Sequence, residues 1–302
     1  MRFLFFLFFP LASVAQLPQV SSGTLVRHAN MPSAYVSPRH VDAWLPQGYS
    51  PRQKYAVLYM HDGQMLYDST MAWNKQAWEV DDVLGGLLQR KQVLPTIVVG
   101  IWNSGPGRHA DYFPQRPWEQ LSTVQKDWVT GQLQAKGRTV NGFVPVSDNY
   151  LRFLVTELKP FIDSAYSTFT DPQHTFIAGS SMGGLISLYA ICEYPQVFGG
   201  AACLSTHWPG VFSMPNNPVP QAFFNYLQQH LPSGENHRLY FDYGNQTLDS
   251  LYPPLQRKVD AIIKRKGYRK PHWQTRFFPS ADHSERAWRQ RLAIPLQFLL
   301  SP

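Results

Sequence analysis

The chain has 302 residues, a formal charge of +7 and two cysteines. It is long for one domain but normal for an α/β enzyme, and no repeat, low-complexity tract or Ser/Gly linker divides it. Two cysteines exclude a disulfide scaffold, and Cys192 and Cys203 sit in apolar runs that suit buried thiols. The basic excess falls in short runs, Lys264-Arg265-Lys266 and Arg269-Lys270, which read as a solvated face; no stripe or motif for nucleic acid is present.

The N-terminus, MRFLFFLFFPLASVAQ, has Arg2, an apolar stretch, then Ser13 and Ala15 in small-residue positions. That pattern predicts a signal peptide over residues 1–15, cut after Ala15, and a secreted or periplasmic mature protein. The apolar stretch is too short for a stable membrane span, and no later segment is long enough. Residues 16–302 are read as a single catalytic domain.

Strand-like runs then alternate with helical patterns. The strands are predicted at Gly23–His28 (an edge), Arg39–Leu45, Tyr55–Met60, Thr96–Ile101, Thr175–Ala178, Gly200–Leu204, Arg238–Tyr243 and Thr275–Phe278. The helices are predicted near Val80–Arg90, Tyr150–Ser164, Met182–Glu193, Gln221–His230, Leu251–Lys266 and Ser284–Leu300. This alternation predicts an α/β fold with a mostly parallel sheet covered by helices on both faces. Ligands of such sheets bind at the carboxyl ends of the strands. Residues 104–149 differ: prolines, glycines, Trp118 and Trp128 occur with little periodicity, and a structureless lid or binding loop is expected.

Gly179-Ser180-Ser181-Met182-Gly183 fits G-x-S-x-G between a short apolar strand and a helix-like run. In that motif a serine sits on a sharp strand-to-helix turn, and glycines two residues either side avoid side-chain clashes. The register selects Ser181, because Ser180 would need a glycine where Ala178 stands. A serine hydroxyl is a weak nucleophile and needs a base held by a third group. His283 follows the last strand in FFPSADHSERAW and is the predicted base; His230, His237 and His272 lie at the wrong ends of strands. Asp249, in the loop beyond Gly244, is the predicted acid; Asp242, or no acid at all, stays open. Asp249 also suits a helix N-cap. The backbone N–H groups of Met182 and Gln64 are the predicted oxyanion donors. His61 and Asp62 lack further ligands at metal-site spacing, so no metal is assigned. Trp73, Trp78, Trp102 and Trp208, with His207, are candidates for a substrate pocket.

From about Tyr35 onward the chain resembles the esterase family of α/β hydrolases that holds enterochelin esterases, esterase D and the feruloyl and acetylxylan esterases of carbohydrate esterase family 1. The markers are VLYMHDGQMLYD, AWNKQAWEVDDVL, GSSMGGLISLYA, YPQVFGGAACLSTHW, FDYGNQTLDSLY and ADHSERAW. The resemblance implies Ser181 and His283 as nucleophile and base, and no metal or cofactor. Relatives often carry an acid two or three residues beyond the Gly of DYG, where Gln246 and Thr247 stand here. The expected activity is hydrolysis of a small-molecule or glycan ester: an acylated carbohydrate, a hydroxycinnamate or a siderophore-type ester. The alternatives are acyl transfer and a catalytically silent binding protein on the same fold.

Overall fold

The computed structural model describes residues 16–301; the predicted signal peptide, residues 1–15, lies outside the described residues. Eight strands form one sheet: β1 (Thr24–Met31), β2 (Arg39–Leu45), β3 (Ala56–His61), β4 (Thr96–Ile101), β5 (Thr175–Ser180), β6 (Gly200–Leu204), β7 (Arg238–Tyr243) and β8 (Trp273–Phe277). Their order is β1-β2-β4-β3-β5-β6-β7-β8. β1 pairs antiparallel with β2 and β2 with β4; every later pairing is parallel.

The central strands are unbroken apolar runs because both faces are covered. Every residue of β3, β4, β5 and β6 is buried. Alternate side chains enter two cores, as a period of two requires. Tyr59, Ile97, Ile177 and Phe241 join one core; Leu58, Val98, Phe176 and Tyr240 join the other. The helices are α1 (Val80–Gln89), α2 (Arg108–Tyr112), α3 (Gln115–Glu119), α4 (Thr123–Gln134), α5 (Ser147–Phe153), α6 (Lys159–Ala165), α7 (Met182–Glu193), α8 (Val219–His230), α9 (Pro253–Arg265), α10 (Glu285–Arg291) and α11 (Ala293–Leu299). Residues of α2 to α9 contribute to the first core, and residues of α1, α10 and α11 to the second. This is the expected α/β-hydrolase architecture.

Three departures have local causes. Residues 104–149 are not structureless: they hold α2, α3 and α4, the last begun by a reciprocal capping box between Ser122 and Gln125. Periodicity missed them because α2 and α3 are five residues each and α4 turns mostly polar residues outward. The helix expected over Tyr150–Ser164 is interrupted by a wider turn at Leu154–Leu158, just before Pro160. Proline has no N–H to give the ladder and its ring crowds the preceding turn. The expected final helix is split at Leu292 into α10 and α11, three residues before Pro295, for the same reason.

Both cysteines are free; Cys203 is buried and Cys192 partly so. Burial pushes both thiols up, so neither is a thiolate at neutral pH. Lys264 and Arg265 are exposed in the last turn of α9, where cations favour the helix dipole.

Candidate active site

The sheet order reverses around β3: the chain moves from β3 outward to β4, then returns to β5 on the other side. A crevice opens at such a switch point, at the carboxyl ends of the strands. Here it is an open cleft of roughly 640 Å³, within the usual range for small-molecule sites. The turns after β3 and β5 form its floor, with Asp62 and Gln64 on one and Ser181 and Met182 on the other.

Ser181 joins β5 to α7 with φ 58° and ψ −121°, a strained backbone for a residue with a side chain. Four hydrogen bonds fix the turn, one of them from the Leu185 N–H to the Ser181 carbonyl at 3.3 Å. The Ser181 N–H donates to the Leu204 carbonyl at 2.9 Å, and the Ser181 carbonyl accepts from Gly184 and His207 at 3.0 and 3.1 Å. Gly179 is required by space: a Cβ there would stand 2.8 Å from the carbonyl carbon of Gly183, whereas a Cβ on Gly183 would meet His61 only at an ordinary 3.4 Å. α7 starts at once and aims its unsatisfied N–H groups at the cleft. Among the described residues, the N–H groups of Met182 and Gln64 donate to no backbone acceptor. Both residues line the cleft, as expected of oxyanion donors.

His283 and Asp249 arrive on two loops laced together. A Cβ on Gly244 would stand 2.1 Å from the Ala281 carbonyl oxygen, so the loops after β7 and β8 approach as closely as backbone allows. Asn245 and Gln246 N–H groups both donate to that carbonyl, and the His283 N–H donates to Thr247 Oγ1 at 3.0 Å. Asp249 Oδ1 then lies 2.6 Å from His283 Nδ1. Asp249 therefore faces the imidazole, not the start of α9, where the N-cap position is Tyr252. His283 lines the same cleft as Ser181.

Asp242 is placed elsewhere. It is fully buried and paired with Arg291 at 2.8 Å. Burial raises its carboxyl even against the pull of Arg291. The two carboxylates are linked through Ser205, which sequence reading passed over. The Ser205 hydroxyl donates to Asp249 Oδ2 at 2.6 Å and accepts from Trp288 Nε1 and an Arg291 nitrogen, each at 2.9 Å. One proton and two lone pairs are thus all used. Gly244 N–H gives Asp249 a further donor at 2.6 Å.

The aromatic candidates divide. Trp78 lines the cleft, and so does Trp73, which is 82% exposed at its edge. Trp102 and Trp208 do not line it. Trp102 donates to Asp42 at 2.8 Å and lies under Arg27 on the β2 side of the sheet. Trp208 is buried, donates to Gln256 at 2.9 Å and packs on Phe241. A tryptophan at a strand end goes to whichever buried acceptor its N–H can reach. His207 lines the cleft while almost fully buried.

Residues from the 104–149 segment complete the wall, and no periodicity marked them. Arg108 grips Asp62 with two bonds of 2.6 and 2.7 Å and lies over the Tyr112 ring. Burial would raise the Asp62 carboxyl, but Arg108 and Asn103 hold it below its usual range. His61 is not beside it as a ligand: its Nδ1 is 2.8 Å from the Tyr150 hydroxyl, and burial lowers its pKa to about 3. Arg138, from the turn after α4, lies over Phe212.

Residues 33–299 match the family model described as "Putative esterase". The chain belongs to that esterase family. A Bacillus subtilis protein, YbbA, is 24% identical over 56% of this chain and 58% of its own length, and YjcH of the same organism is 24% identical over 52% and 50%. The matches thus span only about half of each of these relatives. Among solved structures, the enterobactin esterase of Shigella flexneri is 18% identical with a TM-score of 0.66, covering 93% of this chain and 60% of that one. A ferulic acid esterase is 18% identical with a TM-score of 0.62, covering 92% and 98%. At that identity the likeness is one of fold, and the esterase family keeps the fold expected from the sequence.

Proposed function

We propose that residues 16–302 form one catalytic domain, a secreted or periplasmic serine carboxylic-ester hydrolase. The observation that carries this reading is the Asp249–His283 pair at 2.6 Å, opening on the same cleft as the strained Ser181 turn. In this reading Asp249 holds the imidazole so that Nδ1 keeps its proton and Nε2 is free to act as base. His283 takes the proton of Ser181 as Oγ bonds the ester carbon. Negative charge on the carbonyl oxygen is met by the N–H groups of Met182 and Gln64, whose direction is fixed before the reaction. His283 then protonates the leaving alcohol, and water attacks the acyl-enzyme by the reverse path. These steps need no metal or cofactor.

The open, aromatic-edged cleft supports a bulky ester: an acylated carbohydrate, a hydroxycinnamate or a siderophore-type ester. Trp73 and Trp78 offer flat apolar surface for a ring, and Arg138 offers a cation at the wall. Enterobactin and ferulic acid esterases of similar fold lend weight to that substrate range.

Intact-mass analysis after a fluorophosphonate tests the reading. One adduct, mapped to Ser181, is expected. Ser181→Ala is expected to fold, take no label and lose roughly 10⁴-fold or more in ester turnover. A folded Ser181→Ala protein with retained turnover would remove Ser181 from its role.

A further inference from the structure

Ser205 stands where one strand end touches both sides of the cleft. It follows β6 directly. The carbonyl of Leu204, the last residue of β6, accepts the Ser181 N–H at 2.9 Å, and the next side chain, Ser205, donates to Asp249 Oδ2 at 2.6 Å. Ser205 is fully buried. Its backbone is left-handed, with φ 42°, a conformation that a residue with a side chain keeps only when its surroundings hold it there. Its N–H donates to the Asp242 carbonyl at 2.8 Å, so β7, which leads on to Asp249, holds it from the other side.

The direction of the Ser205 proton follows from its neighbours. Trp288 Nε1 and an Arg291 nitrogen each lie 2.9 Å from Ser205 Oγ. An indole N–H and a guanidinium only donate. Both lone pairs of Oγ are thus taken, and the hydroxyl proton goes to Asp249 Oδ2. That oxygen also accepts from the Gly244 N–H at 2.6 Å. Two donors therefore fix one oxygen of the carboxylate. The other, Oδ1, faces His283 Nδ1 at 2.6 Å, its hydrogen-bond partner among the described residues. A carboxylate only accepts, so Nδ1 carries the imidazole proton and Nε2 keeps its lone pair. Turning the carboxylate away from the imidazole breaks both bonds to Oδ2. Arg291 pairs with Asp242 at 2.8 Å and meets Asp249 through this serine.

We propose that Ser205 is a positioning residue for ester hydrolysis: its hydroxyl, fixed by Trp288 and Arg291, holds the Asp249 carboxylate in the orientation that presents Oδ1 to His283. The inference rests on the esterase reading above. No bond to Ser205 forms or breaks in the reaction, and its proton stays on its own oxygen. It acts through Asp249, keeping the imidazole in the tautomer that takes the Ser181 proton. Ser205 does not line the cleft, so it acts on kcat and leaves KM alone.

The test is kcat and KM for 4-nitrophenyl acetate in Ser205→Gly and Ser205→Ala, each also made in the Asp249→Asn background. Urea unfolding first establishes that each variant is folded. Both remove the hydroxyl; alanine keeps the backbone strain at the left-handed φ and glycine relieves it. Each is expected to lower kcat about 10-fold, the lower end of what one hydrogen bond to a charged group is worth, with KM unchanged. In the Asp249→Asn background neither is expected to cause a further loss, because the carboxylate that Ser205 positions is gone. Unchanged kcat in a folded Ser205→Gly or Ser205→Ala protein overturns this inference alone. So does a further loss of the same factor in the Asp249→Asn background, which marks a general loosening of the site. Unaltered protein that neither turns over the ester nor takes fluorophosphonate label overturns the esterase reading and this inference with it.

Discussion

The two sides of the cleft are built on different principles. The Ser181 side is made from one contiguous stretch, β5, a two-glycine turn and α7, whose hydrogen bonds and close approaches are mostly to itself and to β6. The His283 side is made from residues far apart in sequence: Asp249 from the loop after β7, His283 from the loop after β8, Ser205 after β6 and Arg291 in α10. Local sterics dictate the first side. The second exists only when β6, β7 and β8 are paired in order. A strained turn held by its own geometry tolerates little change in shape; a network of distant groups tolerates shape but not loss of a charge.

The largest expected effect separates the two buried carboxylates. Asp249→Asn is expected to fold and to lose about 10³- to 10⁴-fold in kcat, because an amide holds the imidazole in the wrong tautomer. Asp242→Asn is expected to spare the chemistry but cost about 3–5 kcal/mol of stability, since it leaves Arg291 buried without its countercharge. Steady-state kinetics and urea unfolding on both variants decide between them. Loss of turnover in Asp242→Asn with full stability would reverse the roles and erase the division between the two sides.

A smaller effect tests the nucleophile side. Gly179→Ala forces a methyl group against the backbone of Gly183. A cost of about 1–3 kcal/mol is expected by denaturant unfolding, with activity falling in step as the turn shifts. An unchanged midpoint would mean the turn is less constrained than its contacts imply.

A pH effect is shared by both sides. Burial lowers the pKa of His61 and His109 to about 3 each, and lowers that of His207 as well. The unfolded chain binds protons on these rings below about pH 6.5 while the folded chain does not. Stability should therefore fall steadily as pH drops from 6.5 towards 4, and Tm measured across that range checks it. His109→Gln, which can still donate to the Gly210 carbonyl that His109 bonds at 3.0 Å, should flatten the slope.

Much of this was legible beforehand, and unevenly so. The strand pattern held because continuous apolar runs are what a sheet covered on both faces demands. Ser181 was legible because its constraint is local, with Gly179 two residues before it pressed against the backbone of Gly183. His283 was legible from its place after a strand. Asp249 was the expected acid, with Asp242 or no acid left open, and position divides the two carboxylates: Asp249 faces His283 while Asp242 is tied to Arg291. Trp102 and Trp208 were misplaced because a tryptophan's burial depends on which distant acceptor lies in reach. Arg108, Arg138 and Ser205 left no pattern, since their partners are set by the packing of separate elements.

The sequence by itself determined the alternation of strands and helices, the sharp turn at Ser181 and the place of His283 after the last strand. Each follows from short-range rules: two-residue and helical periods, and the space a tight turn allows. Tertiary structure alone decided which carboxylate meets the imidazole and which aromatics face the cleft. The Asp249–His283 and Ser205–Arg291 contacts join residues 34 and 86 positions apart, and only sheet order and loop closure bring such residues together.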